Sequence, residues 1–335
     1  MSIHRRIAMH GLAALCAGQL LPCAARVQPA ADQSMLAFGL ISPRAAAETR
    51  ANWEPFIKLL GAGIRRPIDI RVYESQGALV TAFSGGEIDL AWMGNVPALD
   101  VVASGAGNVF AQMVPQDGSM GYKSILVMHR TSPIQALKPL IEKAPGLRFG
   151  DGDPKSTSGH LVPRYFAFAK NGVSNPAEIF KSVEIGSHQQ NLSKVAKQEV
   201  DVATANNEEL SFFQRDFADL AKELKVIWES PLIPQSPLLW KASLPEALKA
   251  SIRKFVVGFG ASDPEEKRIL LGVNGLSRFR SSNNRQLVPI ADLEMFKARQ
   301  AINDDKGLSP AERQARIAQA IDRGSRLELR LKMAL

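Results

Sequence analysis

From Met35 to about Trp240, short apolar runs alternate with stretches of helical spacing. Met35–Ile41 (MLAFGLI) reads as a buried strand. Over Ala45–Leu60, the residues Trp53, Phe56, Leu59 and Leu60 recur at helical spacing, which predicts a helix with those four side chains on its buried face. Ile68–Tyr73 alternates as a half-buried strand does. Ala78–Phe83 reads as a short helix ended by Gly85-Gly86, and Ile88–Trp92 as another strand.

The middle of the chain repeats this grammar. Ser124–Met128 is an apolar strand, a helix is expected around Ile134–Ile141, and Leu147–Gly150 is a strand. A loop rich in Gly, Asp, Ser and Thr follows, then a helix from Gly159 to Ala169. Val200–Thr204 and Val226–Glu229 read as further strands. Strand alternating with helix predicts βαβ units and a largely parallel sheet. From about Leu244 the chain reads as mainly helical. Its last helix carries its own start signal: Ser309 as N-cap, Pro310 in the first turn, and Glu312 three residues on. Ile317 and Ile321, four apart, are expected on its packed face. No flexible linker separates the halves, which suggests two α/β domains joined by strands, with a cleft between them.

The length of 335 residues fits two domains. Apolar residues make up 45% and charged residues 22%, which places the chain among ordinary globular proteins. The net charge of +8 is compatible with an anionic ligand and decides nothing more. The first residues change the picture. His4-Arg5-Arg6 precedes an apolar stretch, Ile7–Leu21, and then the small residues after Cys23. This is the order of a secretory signal peptide over residues 1–25, cleaved after Ala25 or alternatively after Ala31. Cleavage removes both cysteines, Cys16 and Cys23, and with them any disulfide or thiol chemistry. Lipidation of Cys23 is the alternative, and Pro22 before it fits poorly. No apolar run approaches the roughly 18 residues of a spanning helix.

The chemistry concentrates in Phe149-Gly-Asp-Gly-Asp-Pro154-Lys-Ser156-Thr157-Ser158-Gly159-His160. Three hydroxyls stand where a strand gives way to a helix start. There the first backbone N–H groups lack partners and the helix dipole favours negative charge. The stretch suits a phosphate-like anion. Plain capping by Ser156 or Thr157 explains the same residues equally well. Walker and dinucleotide fingerprints are absent, so no cofactor is expected. Ser251-Ile-Arg-Lys254 matches a penicillin-enzyme pattern by letters alone, without its partner motifs. His129, His160 and His188 lack metal-ligand spacing. Dispersed Lys and Arg with few aromatics argue against nucleic acid.

The chain resembles the periplasmic phosphonate-binding proteins of ABC importers. The likeness rests on FGLIS (38–42), EIDLAWMGN (87–95), FAQMVPQDGSMGYKS (110–124) and FGDGDPKSTSGHLVP (149–163). It continues through QEVDVATANNEE (198–209), VIWESPLIPQSP (226–237) and RSSNNRQLVPI (280–290). The resemblance implies a type 2 periplasmic binding-protein fold, two α/β lobes around a hinged cleft. Residues 33–125 and 237–335 would form one lobe and 126–236 the other, with crossings near Ser124 and Ser236. It also implies that Ser156, Thr157 and Ser158 hold the phosphonate group. Tyr122 would reach the ligand from the hinge, His188 would lie near the anion, and Glu208 would face the ammonium of an aminoalkylphosphonate. Two positions depart from the family pattern: Gln76 stands where a tyrosine is usual, and Ser236 where an aspartate is usual. One of two carboxylates for an ammonium is thereby lost, which implies a different phosphonate or weaker binding of 2-aminoethylphosphonate. Tyr73 lies near Gln76 but out of register.

The implied role is that of a solute-binding protein that closes on a phosphonate and delivers it to an ABC permease and its ATPase. Three rivals stand beside it. The cleft could take phosphate, phosphite or another oxyanion. The module could report a ligand to a membrane kinase. A hydrolase could use Ser158 with His160, for which no third orienting group is visible.

Overall fold

A computed structural model of the protein describes residues 34–333. The expected signal peptide, with both cysteines and both cleavage positions, lies outside the described residues.

β1 (Leu36–Ile41) is buried at all six positions, as a strand covered on both faces must be. α1 (Ala46–Ile64) buries Trp53, Phe56, Ile57 and Leu60. Leu59, expected on that face, is 39% exposed. It sits roughly 120° around the helix from Trp53, and Ile57 takes its place in the stripe. Next come β2 (Ile68–Tyr73), α2 (Gln76–Ser84), β3 (Leu90–Trp92), α3 (Asn95–Ser104) and β4 (Gly107–Pro115). A two-residue strand, β5 (Gly121–Tyr122), leads into β6 (Ser124–His129), α4 (Leu137–Lys143) and β7 (Arg148–Asp151).

The helix expected from Gly159 starts earlier, at Thr157, and is wound in wide π-type turns over Thr157–Leu161 and Arg164–Phe168. The Ser156 carbonyl accepts from both His160 N–H (3.2 Å) and Leu161 N–H (3.1 Å). Pro163, without an N–H, sits between the two π segments. α5 (Pro176–Ile179), β8 (Ser182–Ile185), α6 (His188–Ala196), β9 (Val202–Asn206), α7 (Asn207–Asp216), α8 (Ala218–Ala221) and β10 (Leu224–Glu229) complete this part. The return runs through β11 (Ile233–Pro234) and β12 (Pro237–Lys241) to α9 (Glu246–Gly258) and α10 (Pro264–Asn274). β13 (Leu276–Ser281), α11 (Val288–Asp304) and α12 (Pro310–Met333) end the chain.

The strands form two main sheets. The first has the order β13-β4-β12-β3-β1-β2 and the second β10-β6-β9-β7-β8. β1 runs parallel to β2 and β3, and β7 runs parallel to β8 and β9. The other five pairings in these sheets are antiparallel. The expected largely parallel sheet is therefore corrected to a mixed one. β12 enters the first sheet from the second, so no βαβ crossover dictates its direction. The C-terminal part is mainly helical, as read, and adds one strand, β13, that hydrophobic spacing alone did not mark.

Two crossings join the sheets, and they touch. β5 pairs antiparallel with β11, Tyr122 opposite Ile233 and Gly121 opposite Pro234. A Cβ at Gly121 would lie 2.1 Å from the Ile233 carbonyl oxygen, so only glycine permits this ribbon. Each lobe has its own apolar packing. Trp53 stacks on Trp92 (5.1 Å) in the first, and Phe149 on Phe180 (4.6 Å) in the second.

The start of α12 is a capping box: Ser309 N–H and Oγ–H donate to Glu312 Oε2, and Glu312 N–H donates back to Ser309 Oγ. Its packed face is not the expected one. Ala320 and Leu331 are buried, while Ile321 is 40% exposed.

Candidate functional site

The carboxyl ends of β1, β3, β7 and β9 point toward one place between the lobes. This is where open α/β sheets take ligands. Five helices begin there. α2 starts at Gln76, α3 follows Gly94, and the helix of the second lobe starts at Thr157. α6 starts at His188, and α7 follows Asn206. A cavity of about 60 Å³ lies among them. Its wall contains all eight residues singled out from the sequence: Gln76, Tyr122, Ser156, Thr157, Ser158, His188, Glu208 and Ser236. Among the described residues no lysine or arginine lines it. The helix N-termini around it carry partial positive charge, a source suited to an anion.

The loop before Thr157 folds back on itself. Gly152 N–H donates to the Gly159 carbonyl at 3.1 Å. A Cβ at Gly152 would lie 2.7 Å from the Gly159 backbone, which explains a glycine at this point. The three hydroxyls then have three different employments. Ser156 Oγ accepts from Gly159 N–H at 3.0 Å, so the plain capping reading holds for this residue. Thr157 Oγ1 accepts from Val96 N–H at 2.9 Å across the cleft, which leaves its own hydrogen free to donate. Ser158 Oγ lies 3.2 Å from His188 Nε2 and 3.4 Å from Asn206 Nδ2.

His160 is elsewhere. Its Nδ1 is 3.0 Å from Asp151 Oδ2, which also takes Arg164 Nη2 at 3.1 Å. The hydrolase rival paired Ser158 with His160, but the imidazole near Ser158 is that of His188. Among the described residues His188 Nδ1 is buried with no hydrogen-bond partner, at the position a third orienting group would take.

Burial sets the protonation states. It lowers His188 to about 4, which makes the ring neutral at pH 7. It pushes the Tyr122 hydroxyl well above its ordinary range, reinforced by nearby Glu208. Both are therefore uncharged hydrogen-bonding groups. Burial also raises Glu208 to about 7, against the hydrogen bond that Gln235 Nε2 donates to its Oε1 at 2.7 Å. Glu209 is pushed up by burial and held down by Arg44, whose Nε lies 3.1 Å from Oε2.

Several contacts tie the lobes together around this cavity. Besides Thr157 with Val96, Gln76 N–H donates to Asp153 Oδ2 (3.3 Å), and Lys155 pairs with Asp100 (2.8 Å). The Ser236 carbonyl accepts from Met113 N–H at 3.3 Å at the second crossing. Sequence reasoning missed Asn206, Gln235 and the Arg44–Glu209 pair. Asn206 had a local signal, an Asn three residues before Glu209 at a helix start, and its Oδ1 caps Glu209 N–H at 2.8 Å. The others join residues far apart in the chain. Among the described residues there is no group of side chains that could hold a metal ion, and no helix long and apolar enough to cross a membrane.

Comparison with known proteins agrees with this architecture. The family model of periplasmic substrate-binding proteins of phosphonate ABC transporters matches residues 38–287. A phosphonates-binding periplasmic protein of Escherichia coli (strain K12) is 39% identical over 285 residues, covering 85% of this chain and 83% of that protein. The crystal structure of a binding-protein component of a phosphonate ABC transporter from Pseudomonas aeruginosa superposes with a TM-score of 0.83 at 35% identity. It covers 90% of this chain and 99% of that one. PhnD1 from Prochlorococcus marinus, solved with methylphosphonate, matches with a TM-score of 0.71 over 78% of this chain and 98% of that one. At 22% identity it speaks for the fold alone. The fold is that of the type 2 periplasmic binding proteins, and the chain belongs to the periplasmic substrate-binding proteins of phosphonate ABC transporters.

Proposed function

We propose that the cavity holds a phosphonate, with its oxyanion on Thr157, Ser158 and the helix start capped by Ser156, and its substituent toward Glu208 and Ser236. Tyr122 and His188 complete the anion end, and Gln76 closes it from the first lobe. The observation that carries this reading is the convergence of five helix N-termini and neutral donors on one cavity between two lobes. An anion held by dipoles and hydroxyls needs no buried cation, and no unpaired cation is left behind when it departs.

Because the wall is contributed by both lobes, the ligand binds the closed form better and shifts the open–closed equilibrium toward it. An ABC permease then reads the closed shape, and its ATPase drives uptake. Export by the N-terminal segment, with cleavage after Ala25, would place the protein in the periplasm. No bond of the ligand is made or broken.

A thermal-shift panel of 2-aminoethylphosphonate, methylphosphonate, phosphite, phosphate and sulfate tests this. A ligand at a hundred times its Kd adds about 2.7 kcal/mol of stability. A rise in Tm with the phosphonates, and little with sulfate, is expected. A rise with phosphate or phosphite alone would assign the site to a simpler oxyanion.

A further inference from the structure

Two carboxylates line the cavity, Glu208 and Glu209. Glu209 is already matched. Its ion pair with Arg44 spans the lobes, since Arg44 follows β1 and Glu209 stands in the first turn of α7. Both side chains are more than nine-tenths buried. The guanidinium has further partners. It lies 4.3 Å over the Phe212 ring, donates to Glu48 Oε1 at 3.1 Å, and donates to Asn274 Oδ1. Phe212 and Asn274 are themselves part of the cavity wall. Arg44 thus stands one side chain behind the surface that a ligand substituent would meet.

Glu208 is different. It accepts from the neutral amide of Gln235 and, among the described residues, forms no ion pair. A ligand substituent therefore meets one carboxylate, a second that is neutralised, and the hydroxyl of Ser236. A buried ammonium needs charge partners that offset its lost hydration, and one is a poor complement. A hydroxyl needs only hydrogen bonds. It can exchange them with Ser236 and with Glu208, which burial raises toward its neutral acid form.

We infer that the cavity selects phosphonates with an uncharged substituent, hydroxyalkyl or short alkyl, over aminoalkylphosphonates, and that Arg44 sets this preference by occupying Glu209. The inference rests on the reading of the cavity as a phosphonate site.

Calorimetric titration of 2-hydroxyethylphosphonate and 2-aminoethylphosphonate into one protein sample gives a ratio of two Kd values. A loss common to both ligands, from a weakened closed form, cancels in that ratio. In the natural protein the hydroxy ligand should bind at least about tenfold tighter. Arg44→Gln frees the Glu209 carboxylate and should move the ratio about tenfold toward the amino ligand. Adding Glu209→Gln to Arg44→Gln should restore the natural ratio. Glu209→Gln alone strands the guanidinium and should move the ratio further against the amino ligand, which keeps the test open if Arg44→Gln fails to fold. Tighter binding of the amino ligand by the natural protein would overturn the preference. An Arg44→Gln or Glu209→Gln ratio equal to the natural one would overturn the role of Arg44. If no phosphonate of either kind binds, it is the phosphonate reading itself that fails.

Discussion

Around the cavity, Thr157, Ser158, Tyr122 and His188 present hydroxyls and a ring that stay neutral at pH 7, and the proposed reading gives them the oxyanion end of the ligand. Glu208, Glu209 and Arg44 place three ionisable groups about the same space, and that reading gives them the substituent end. The neutral end is held by local geometry: a strand end, a folded-back glycine pair and helix starts. The charged end is assembled from distant pieces, Arg44 after β1, Gln235 on the second crossing and Glu208 on α7. The contrast suggests a division of labour. Dipoles and hydroxyls recognise whatever all ligands share, and charges discriminate among what differs. Substitutions at the first end should therefore weaken every phosphonate alike. Substitutions at the second should change the order of preference.

The largest uniform loss is expected from Gly152→Ala. The added Cβ meets three backbone atoms of Gly159 at 2.7–2.8 Å, and backbone cannot move aside cheaply. The displaced loop should cost about 3 kcal/mol, the upper end for overpacking. The same displacement should weaken every phosphonate alike. A variant with the natural Tm and natural affinities would show that the loop tolerates the shift and does not grip the anion.

Thr157→Ala comes next. It deletes one hydrogen bond to a charged group, worth about 1.5–3 kcal/mol, and also the acceptor for Val96 N–H across the cleft. Methylphosphonate and 2-aminoethylphosphonate should lose equally. Unchanged affinity would move the anion off this loop. Glu208→Gln sharpens the comparison from the other side. It should weaken 2-aminoethylphosphonate by about tenfold, the value of one charge-assisted contact, and leave methylphosphonate almost untouched. Equal losses would make Glu208 a structural residue rather than a discriminating one.

The same contrast governs what the sequence disclosed. The hydroxyl run at Ser156–Ser158 stood out because its signal is local: lying between a strand and a helix start, it constrains its own backbone, whereas Tyr122 and His188 were named only through the family resemblance. Even there, local signal did not separate Ser156, spent on capping Gly159, from Thr157, whose hydrogen is free. Of the charged groups only Glu208 was singled out, and that through the family resemblance. Arg44 and Glu209 stand 165 positions apart, and nothing in the spacing of either announces the other. The fold shows the same limit. β1 and α1 declared themselves by periodicity, with Leu59 misplaced on the face. The antiparallel entry of β12 depends on which sheet the chain has just left, a fact of topology that hydrophobic pattern does not carry.

The smallest effect is on stability, and there the two ends should respond to pH in opposite directions. Burial lowers His188 to about 4, from an ordinary imidazole near about 6.5. Between those values the unfolded chain binds more protons, so folding stability rises with pH. The contribution is present above the ordinary value and lost as pH falls toward 4. Burial raises Glu208 to about 7, from an ordinary carboxylate near about 4.3. Between those values the folded chain binds more protons. Its contribution is present at low pH and lost as pH rises toward 7. His188→Gln should therefore gain Tm over the natural protein as pH falls from 6.5 to 4. Glu208→Gln should gain it as pH rises from 4.5 to 7. Each difference should reach about 2 °C or more. The scans need ligand-free protein and buffers without phosphate, phosphonate or sulfonate groups, since any of these could occupy the cavity. Two difference curves of the same sign would show that both ends share one electrostatic environment. A flat curve for either residue would show that its side chain is hydrated in the ligand-free protein. In that event the cleft stands open until a phosphonate closes it.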